Sequence, residues 1–116
     1  MANIAELLEK KCTPHQTALT AAQIADYLSA LSAWSLQDGK IVRKFGFKDY
    51  HDTLDFVNAI AHVIHAEDHH PELVVTYNKC VVKFDTHSVN GGRGGISEND
   101  FICAAKVDAV FQQSFA

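Results

Sequence analysis

Arginine is scarce in this sequence, and positive charge is outweighed by negative charge. The two arginines, Arg43 and Arg93, are far apart, and ten Lys and Arg residues stand against fourteen Asp and Glu. The formal net charge is -4 at pH 7. A nucleic-acid-binding surface needs clustered basic side chains. The charge balance therefore argues against direct nucleic-acid binding.

Cysteine is also sparse, and long apolar runs are missing. Cys12, Cys80 and Cys103 are widely spaced, and none belongs to a C-x-x-C motif. This pattern indicates reduced thiols rather than a disulfide framework or a zinc ribbon. No run approaches the roughly 18 apolar residues of a membrane span. Residues 1–6 lack the basic and apolar segments of a signal peptide. The sequence predicts a cytoplasmic protein.

The chain is long enough for one domain, and its periodicity predicts mixed secondary structure. Residues 1–19 are predicted to be an N-terminal arm with one or two helical turns, and 20–116 a single domain. Within that domain we predict helices at about 20–31, at about 49–66 and from 97 onwards. We also predict two β-hairpins, one formed by 33–36 with 40–47 and the other by 73–77 with 80–87. The order α-β-β-α-β-β-α predicts an α+β fold, in which a four-stranded antiparallel sheet carries helices on one face.

Local signals mark where the helices begin. Thr20 with Gln23 and Ser97 with Asp100 have the form of capping boxes, and Asp49 is a typical N-cap. The helix at 49–66 is the best defined, because an apolar stripe at helical spacing lies opposite a polar row. The stripe comprises Tyr50, Leu54, Val57, Ala61 and Ile64, and the row comprises His51, Asp55, Asn58, His62 and His65.

Three of the seven histidines are candidates for acid–base chemistry. His69 and His70 directly precede Pro71, where a helix must end, and His87 follows the next strand-like run. Imidazole is the side chain that most readily exchanges protons near neutral pH, so adjacent imidazoles can supply one protonated and one neutral ring. Such a pair suits a reaction that donates one proton and removes another.

Simpler interpretations of these residues stay open. The histidines could be solvent-exposed turn residues, and Asp100 is explained by its place in a capping box. The possible ligands of a zinc site would be His62 and His65 together with His69, His70 and His87. The sequence has no H-E-x-x-H motif, however. We therefore favour acid–base catalysis without a metal.

The intervals between His69-His70-Pro71, Tyr77, His87 and Asp100 are similar to the pattern of the pterin-4a-carbinolamine dehydratases. The resemblance covers roughly residues 20–112. It implies dehydration of 4a-hydroxytetrahydrobiopterin to quinonoid dihydropterin, with no metal or organic cofactor. It also implies recycling of the pterin used by aromatic amino acid hydroxylases, above all phenylalanine hydroxylase, and assembly into a homodimer or homotetramer.

The resemblance also implies roles for individual residues. His69, His70 and His87 would be the acid–base and substrate-contacting residues. A supporting set would comprise Asp100, Trp34 beside the pterin, His65 and Pro71. Two positions depart from the family pattern, because His65 stands where a glutamate is frequent and Leu73 where many members have tryptophan.

An alternative function on the same fold is a non-catalytic binding, assembly or coactivator protein. In such a protein the histidines would be dispensable while a surface helix would not. The complete histidine triad favours the dehydratase.

Overall fold

The computed structural model describes residues 2–116, so the first residue of the predicted arm, Met1, lies outside the described part. These residues form four α-helices and four β-strands. In order they are α1 (Ile4–Glu9), α2 (Ala21–Ala30), β1 (Ser35–Gln37), β2 (Lys40–Gly46), α3 (Tyr50–Glu67), β3 (Glu72–Val75), β4 (Lys79–Phe84) and α4 (Glu98–Ser114). A short 3-10 turn, Asn90–Gly92, lies between β4 and α4.

The four strands form one antiparallel sheet in the order β1-β2-β4-β3. Its inner face carries Ile41, Phe45, Val82 and Phe84, all of them buried. Helices α3 and α4 cover this face, and the rings of Phe56 and Phe111 lie 4.7 and 5.0 Å from the ring of Phe45. The predicted α+β fold, with helices on one face of an antiparallel sheet, is confirmed.

The predicted helix starts are present. Thr20 and Ser97 both form complete capping boxes, and the Asp49 side chain accepts from the N–H of Asp52. The first hairpin turns at Asp38-Gly39, both with positive φ, as an Asp-Gly turn favours. The second hairpin turns over residues 76–78, slightly earlier than predicted, because the Thr76 N–H bonds to the Lys79 carbonyl.

The completely buried residues of α3 are not those of its apolar stripe, although Val57 and Ile64 of the stripe pack partly against the core. Thr53, Phe56 and Ile60 face the sheet and are completely buried. Tyr50 and Leu54 of the stripe are instead 48% and 39% exposed. Both sides of this helix carry apolar residues, so its periodicity predicts a helix but does not tell which side packs inward.

The N-terminal arm packs against α4. Helix α1 contacts α4 and buries Leu7, and Lys106 of α4 donates to the carbonyl of Lys10 at 2.7 Å. Further along, Thr13 exchanges two hydrogen bonds with the Asn99 side chain, at 3.1 and 2.7 Å. The helical turns predicted for the arm are present, while the domain boundary at residue 20 stays a prediction. Within residues 2–116, no helix combines the length and apolar character needed to cross a membrane.

Candidate active site

The turn after α3 presents the adjacent histidines. Helix α3 ends at Glu67, and Asp68 then adopts a left-handed conformation with φ 48° and ψ 43°. Aspartate tolerates this conformation better than most residues. The chain then runs through His69 and His70 to Pro71 and enters β3 at Glu72. The two imidazoles therefore project from a short segment fixed by a helix at one end and a strand at the other.

His69 is held by a buried carboxylate. Its Nε2 lies 2.6 Å from Oδ1 of Asp100, which is completely buried in the first turn of α4. The other carboxylate oxygen, Oδ2, accepts from the Ser97 N–H and from the Thr86 hydroxyl, both at 2.9 Å. Asp100 thus caps its own helix and fixes the orientation of His69 at the same time.

The packing of His69 adds a second constraint. Its ring stacks on Phe84 with a centroid distance of 5.9 Å and an interplanar angle of 7°. Because Asp100 occupies Nε2, Nδ1 is the ring nitrogen that remains for a second partner. The arrangement supplies one rigid imidazole whose free nitrogen is defined by its partner.

His70 and His87 lie in more open surroundings. Both are exposed, and Nε2 of His87 lies 3.2 Å from Oδ1 of Asp85. Both line a cleft of about 260 Å³ together with His69. The structure therefore brings the three predicted histidines to the wall of one cleft.

A second cleft joins the first at His69. It has a volume of about 350 Å³, and the two clefts share Asp68, His69, Thr86 and Ser88. Its opposite wall is the N-terminal arm, residues 12–15. Small-molecule sites typically enclose about 300–1,000 Å³, so the joined clefts have the size of a site for a small ligand.

One known protein family matches most of this chain. A sequence model of the family described as "Pterin 4 alpha carbinolamine dehydratase" matches residues 17–110. The chain belongs to this family.

Two relatives match nearly the whole chain, and a solved structure matches most of it. A protein of Bdellovibrio bacteriovorus, provisionally named a pterin-4-alpha-carbinolamine dehydratase, is 61% identical over 111 residues, covering 96% of this chain and 92% of the relative. One of Nitrosomonas europaea with the same name is 45% identical, covering 97% and 99%. A crystal structure of a "transcriptional coactivator/pterin dehydratase" from Brucella melitensis has a TM-score of 0.73 and 34% identity, covering 81% of this chain and 98% of that one.

The remaining site residues predicted from the resemblance to the pterin-4a-carbinolamine dehydratases lie outside both clefts. Trp34 is buried in the core, where its indole N–H donates to Asp108 at 2.9 Å. The Phe84 ring contacts both Trp34 and His69 and lies 6.0 Å from Trp34, centroid to centroid. His65 is exposed on the last turn of α3, and Pro71 is half-buried before β3. Their supporting roles stay predictions.

Sequence reasoning missed several neighbours of the histidines. Thr86 was not singled out, because nothing local shows that its hydroxyl reaches Asp100. The arm residues 12–15 were missed because their contact with the cleft depends on long-range packing. The alternation of the predicted strand 80–87 places His87 on the face of Asp85. Strand β4 ends at Phe84, so the contact between their side chains is made just beyond the strand.

The cleft histidines do not form a group of close metal ligands. Within residues 2–116, the one group of three His, Cys, Asp or Glu ligand atoms within 4.8 Å of one another comprises His51, Asp52 and Asp55. It lies on the exposed first turns of α3, away from both clefts.

Proposed function

We propose that this chain dehydrates 4a-hydroxytetrahydrobiopterin to quinonoid dihydropterin and water by histidine acid–base catalysis. Membership of the pterin-4a-carbinolamine dehydratase family supports the reaction. The observation that carries the proposal is that His69, which contacts the buried Asp100, lines one cleft together with His70 and His87.

The proposed chemistry needs two proton transfers. The lone pair on N5 of the pterin expels the hydroxyl at C4a, which leaves as water after taking a proton from a donor. The N5 proton passes to an acceptor, so no net proton is consumed. One protonated and one neutral imidazole supply the donor and the acceptor, and each well-placed transfer contributes on the order of 10²–10⁴-fold.

The three histidines divide this work according to their surroundings. His69 is held by Asp100 and Phe84, so it meets the ligand in one orientation. His70 and His87 are exposed and can adjust to the ligand. Asp100 acts as a positioning residue, and Trp34, His65 and Pro71 complete the supporting set. The reaction requires no metal or organic cofactor.

Alanine variants test the reaction directly. The loss of 4a-hydroxytetrahydropterin, generated in situ, is followed with purified protein in the presence and absence of a chelator. The double variant His69→Ala/His70→Ala is expected to abolish the acceleration, and chelator is expected to leave the wild-type rate unchanged. His62→Ala, an exposed histidine on α3, is the matched control. An unchanged rate in the double variant would refute the catalytic role.

The cellular setting forms part of the proposal. The product would return to an aromatic amino acid hydroxylase, phenylalanine hydroxylase above all, in the cytoplasm. A strain lacking this protein should accumulate pterin breakdown products when that hydroxylase is active. Normal pterin turnover in such a strain would contradict the link.

A homodimer or homotetramer is the proposed assembly. The exposed Tyr50 and Leu54 on α3 and the edge strand β3, with exposed Val74 and Val75, offer apolar contact surface for a second copy. Light scattering on the purified protein gives the assembly size, and a monomer at micromolar concentration would contradict the proposal.

A binding or coactivator function is the second candidate. It is favoured by the name of the Brucella melitensis structure, which includes "transcriptional coactivator". A stoichiometric protein partner in a pull-down, together with absent turnover, would favour this function over catalysis.

A further inference from the structure

Two of the three cysteines meet where the arm crosses α4. Sγ of Cys12 and Sγ of Cys103 are 3.6 Å apart, although the residues are 91 positions apart in the chain. Cys12 is half-buried in the arm, whereas Cys103 is completely buried on α4. A disulfide bond has an S–S distance of about 2.0 Å, so a small movement of the two side chains would allow bonding.

The backbone around Cys12 is already fixed. Its N–H donates to Oε1 of Glu67 at 2.8 Å, and the neighbouring Thr13 is hydrogen-bonded to Asn99 through both its N–H and its carbonyl. Lys106 in turn donates to Oε2 of Glu67 at 2.7 Å. The two thiols are therefore held together by contacts other than their own.

We propose that Cys12 and Cys103 are a redox modification site at which a hydroperoxide forms a disulfide that locks the arm onto α4. The Cys12 sulfur attacks the peroxide oxygen, the O–O bond breaks, and the products are Cys12 sulfenic acid and an alcohol, or water when the oxidant is hydrogen peroxide. The Cys103 sulfur then attacks the Cys12 sulfur. The sulfenic oxygen leaves as water with the Cys103 proton, so two sulfurs are oxidised and one peroxide is reduced.

The surroundings of the thiols give the order of these steps. The hydrogen bond with Cys12 and burial both raise the pKa of the Cys103 thiol well above its usual range. Cys103 therefore stays protonated, and an oxidant reaches the half-buried Cys12 first. The third cysteine, Cys80, is completely buried under the sheet, and burial raises its pKa to about 11. Cys80 therefore serves as an internal control for oxidation outside the Cys12–Cys103 pair.

The lock would act on the wall of the candidate site. Arm residues 12–15 line the cleft that contains His69. A bond from Cys12 to α4 would hold this wall at a fixed distance from the histidine. The modification itself does not depend on the proposed dehydratase activity, and its test does not use that activity.

Peroxide treatment of the full chain tests the site. Intact mass should fall by two hydrogen atoms, and a non-reducing peptide map should join the peptides of Cys12 and Cys103. Closing so long a loop should raise Tm by on the order of 10 °C, and a thiol reductant should reverse the rise.

Matched variants separate this pair from other thiol chemistry. Cys80→Ala should still form the crosslink, whereas Cys12→Ser should not. Because Cys12 is half-buried, Cys12→Ser is expected to remain folded, and circular dichroism checks this. The absence of an intramolecular crosslink in the wild type, or an undiminished crosslink in Cys12→Ser, would overturn the proposal.

Discussion

Two of the cleft histidines each contact an aspartate, and the two pairs differ in burial more than in chemistry. His69 and Asp100 are 2.6 Å apart, with side chains 13% and 0% exposed. His87 and Asp85 are 3.2 Å apart, with side chains 83% and 19% exposed. Water and salt screen the exposed pair, so its interaction is worth about 0–1 kcal/mol. The buried pair cannot exchange its partners for water, so separating it leaves polar groups unsatisfied.

The same contrast applies to orientation. Asp100 is itself held by Ser97 and Thr86, and this fixes the position of the imidazole that it contacts. Asp85 contacts His87 from a strand end, where that imidazole remains free to turn in solvent. In the proposed dehydratase, His69 would therefore meet the ligand in one fixed orientation, whereas His87 would adapt to it.

Asp100→Asn should have the largest effect. Both carboxylate oxygens of Asp100 have hydrogen-bond partners, His69 on Oδ1 and the Thr86 hydroxyl and Ser97 N–H on Oδ2. The asparagine amide replaces one of these oxygens by an NH₂ group, so the position of His69 is expected to shift. A shift of about 1 Å costs on the order of 100-fold in kcat, and unfolding free energy should fall by about 2–3 kcal/mol. Steady-state kinetics and urea denaturation measure the two effects. A near-wild-type kcat in Asp100→Asn would show that the buried His69–Asp100 pair matters no more for turnover than the exposed His87–Asp85 pair.

Glu67→Gln should have the next largest effect, and the effect should depend on pH. Burial opposes ionisation of Glu67, but Lys106, the Cys12 N–H and Lys11 together lower the pKa of its carboxyl below 4.5. The wild type therefore has the full stabilisation above about pH 4.5 and loses it as pH falls through the lowered value.

The variant should be less stable than the wild type by about 1–3 kcal/mol at pH 7, because the buried ion pair with Lys106 is lost. This difference should shrink in acid. Urea denaturation from pH 7 to pH 3 measures the difference in unfolding free energy between the variant and the wild type. A constant difference across that range would contradict a lowered pKa for Glu67.

Thr86→Val should have an intermediate effect. It removes one of the two donors to Oδ2 of Asp100 but leaves the Ser97 N–H in place. Stability should fall by about 1 kcal/mol. We expect kcat to fall several-fold while KM is unchanged, because Thr86 acts through Asp100 on His69. Thr86→Ser keeps the hydroxyl and should restore kcat, and failure of that rescue would indicate a packing effect only.

Asp85→Asn should have the smallest effect. The exposed pair with His87 contributes little, so unfolding free energy should change by less than about 0.5 kcal/mol. Turnover should change by less than about 3-fold, and raising the salt concentration should reduce the difference further. Kinetics at two ionic strengths check this. An effect as large as that of Asp100→Asn would show that burial does not distinguish the two pairs.

The sequence was sufficient for the secondary structure because its signals are local. The capping boxes at Thr20 and Ser97 and the Asp-Gly turn each involve residues within three positions of one another. The spacing of two residues between Asp85 and His87, just beyond the end of β4, is equally local. Such patterns are visible without knowledge of the fold.

Other features depend on packing between distant parts of the chain. The inward side of α3 could not be predicted, because Phe56 and Ile60 compete with Tyr50 and Leu54 for the core. The contact between Cys12 and Cys103 joins the two ends of the chain, and widely spaced cysteines gave no indication of it. Asp100 could be predicted as a helix cap, but its position beside His69 remained one possibility among several until the fold was known.

Asp100 contacts His69 through Oδ1 and caps α4 through Oδ2, so it connects the cleft to the first turn of that helix. A molecule bound against His69 would be linked through one carboxylate to the first turn of the helix. Amide protons at that turn should therefore exchange more slowly with deuterium when the cleft is filled. The last helix, which contributes few residues to the cleft, becomes a natural reporter of its occupancy.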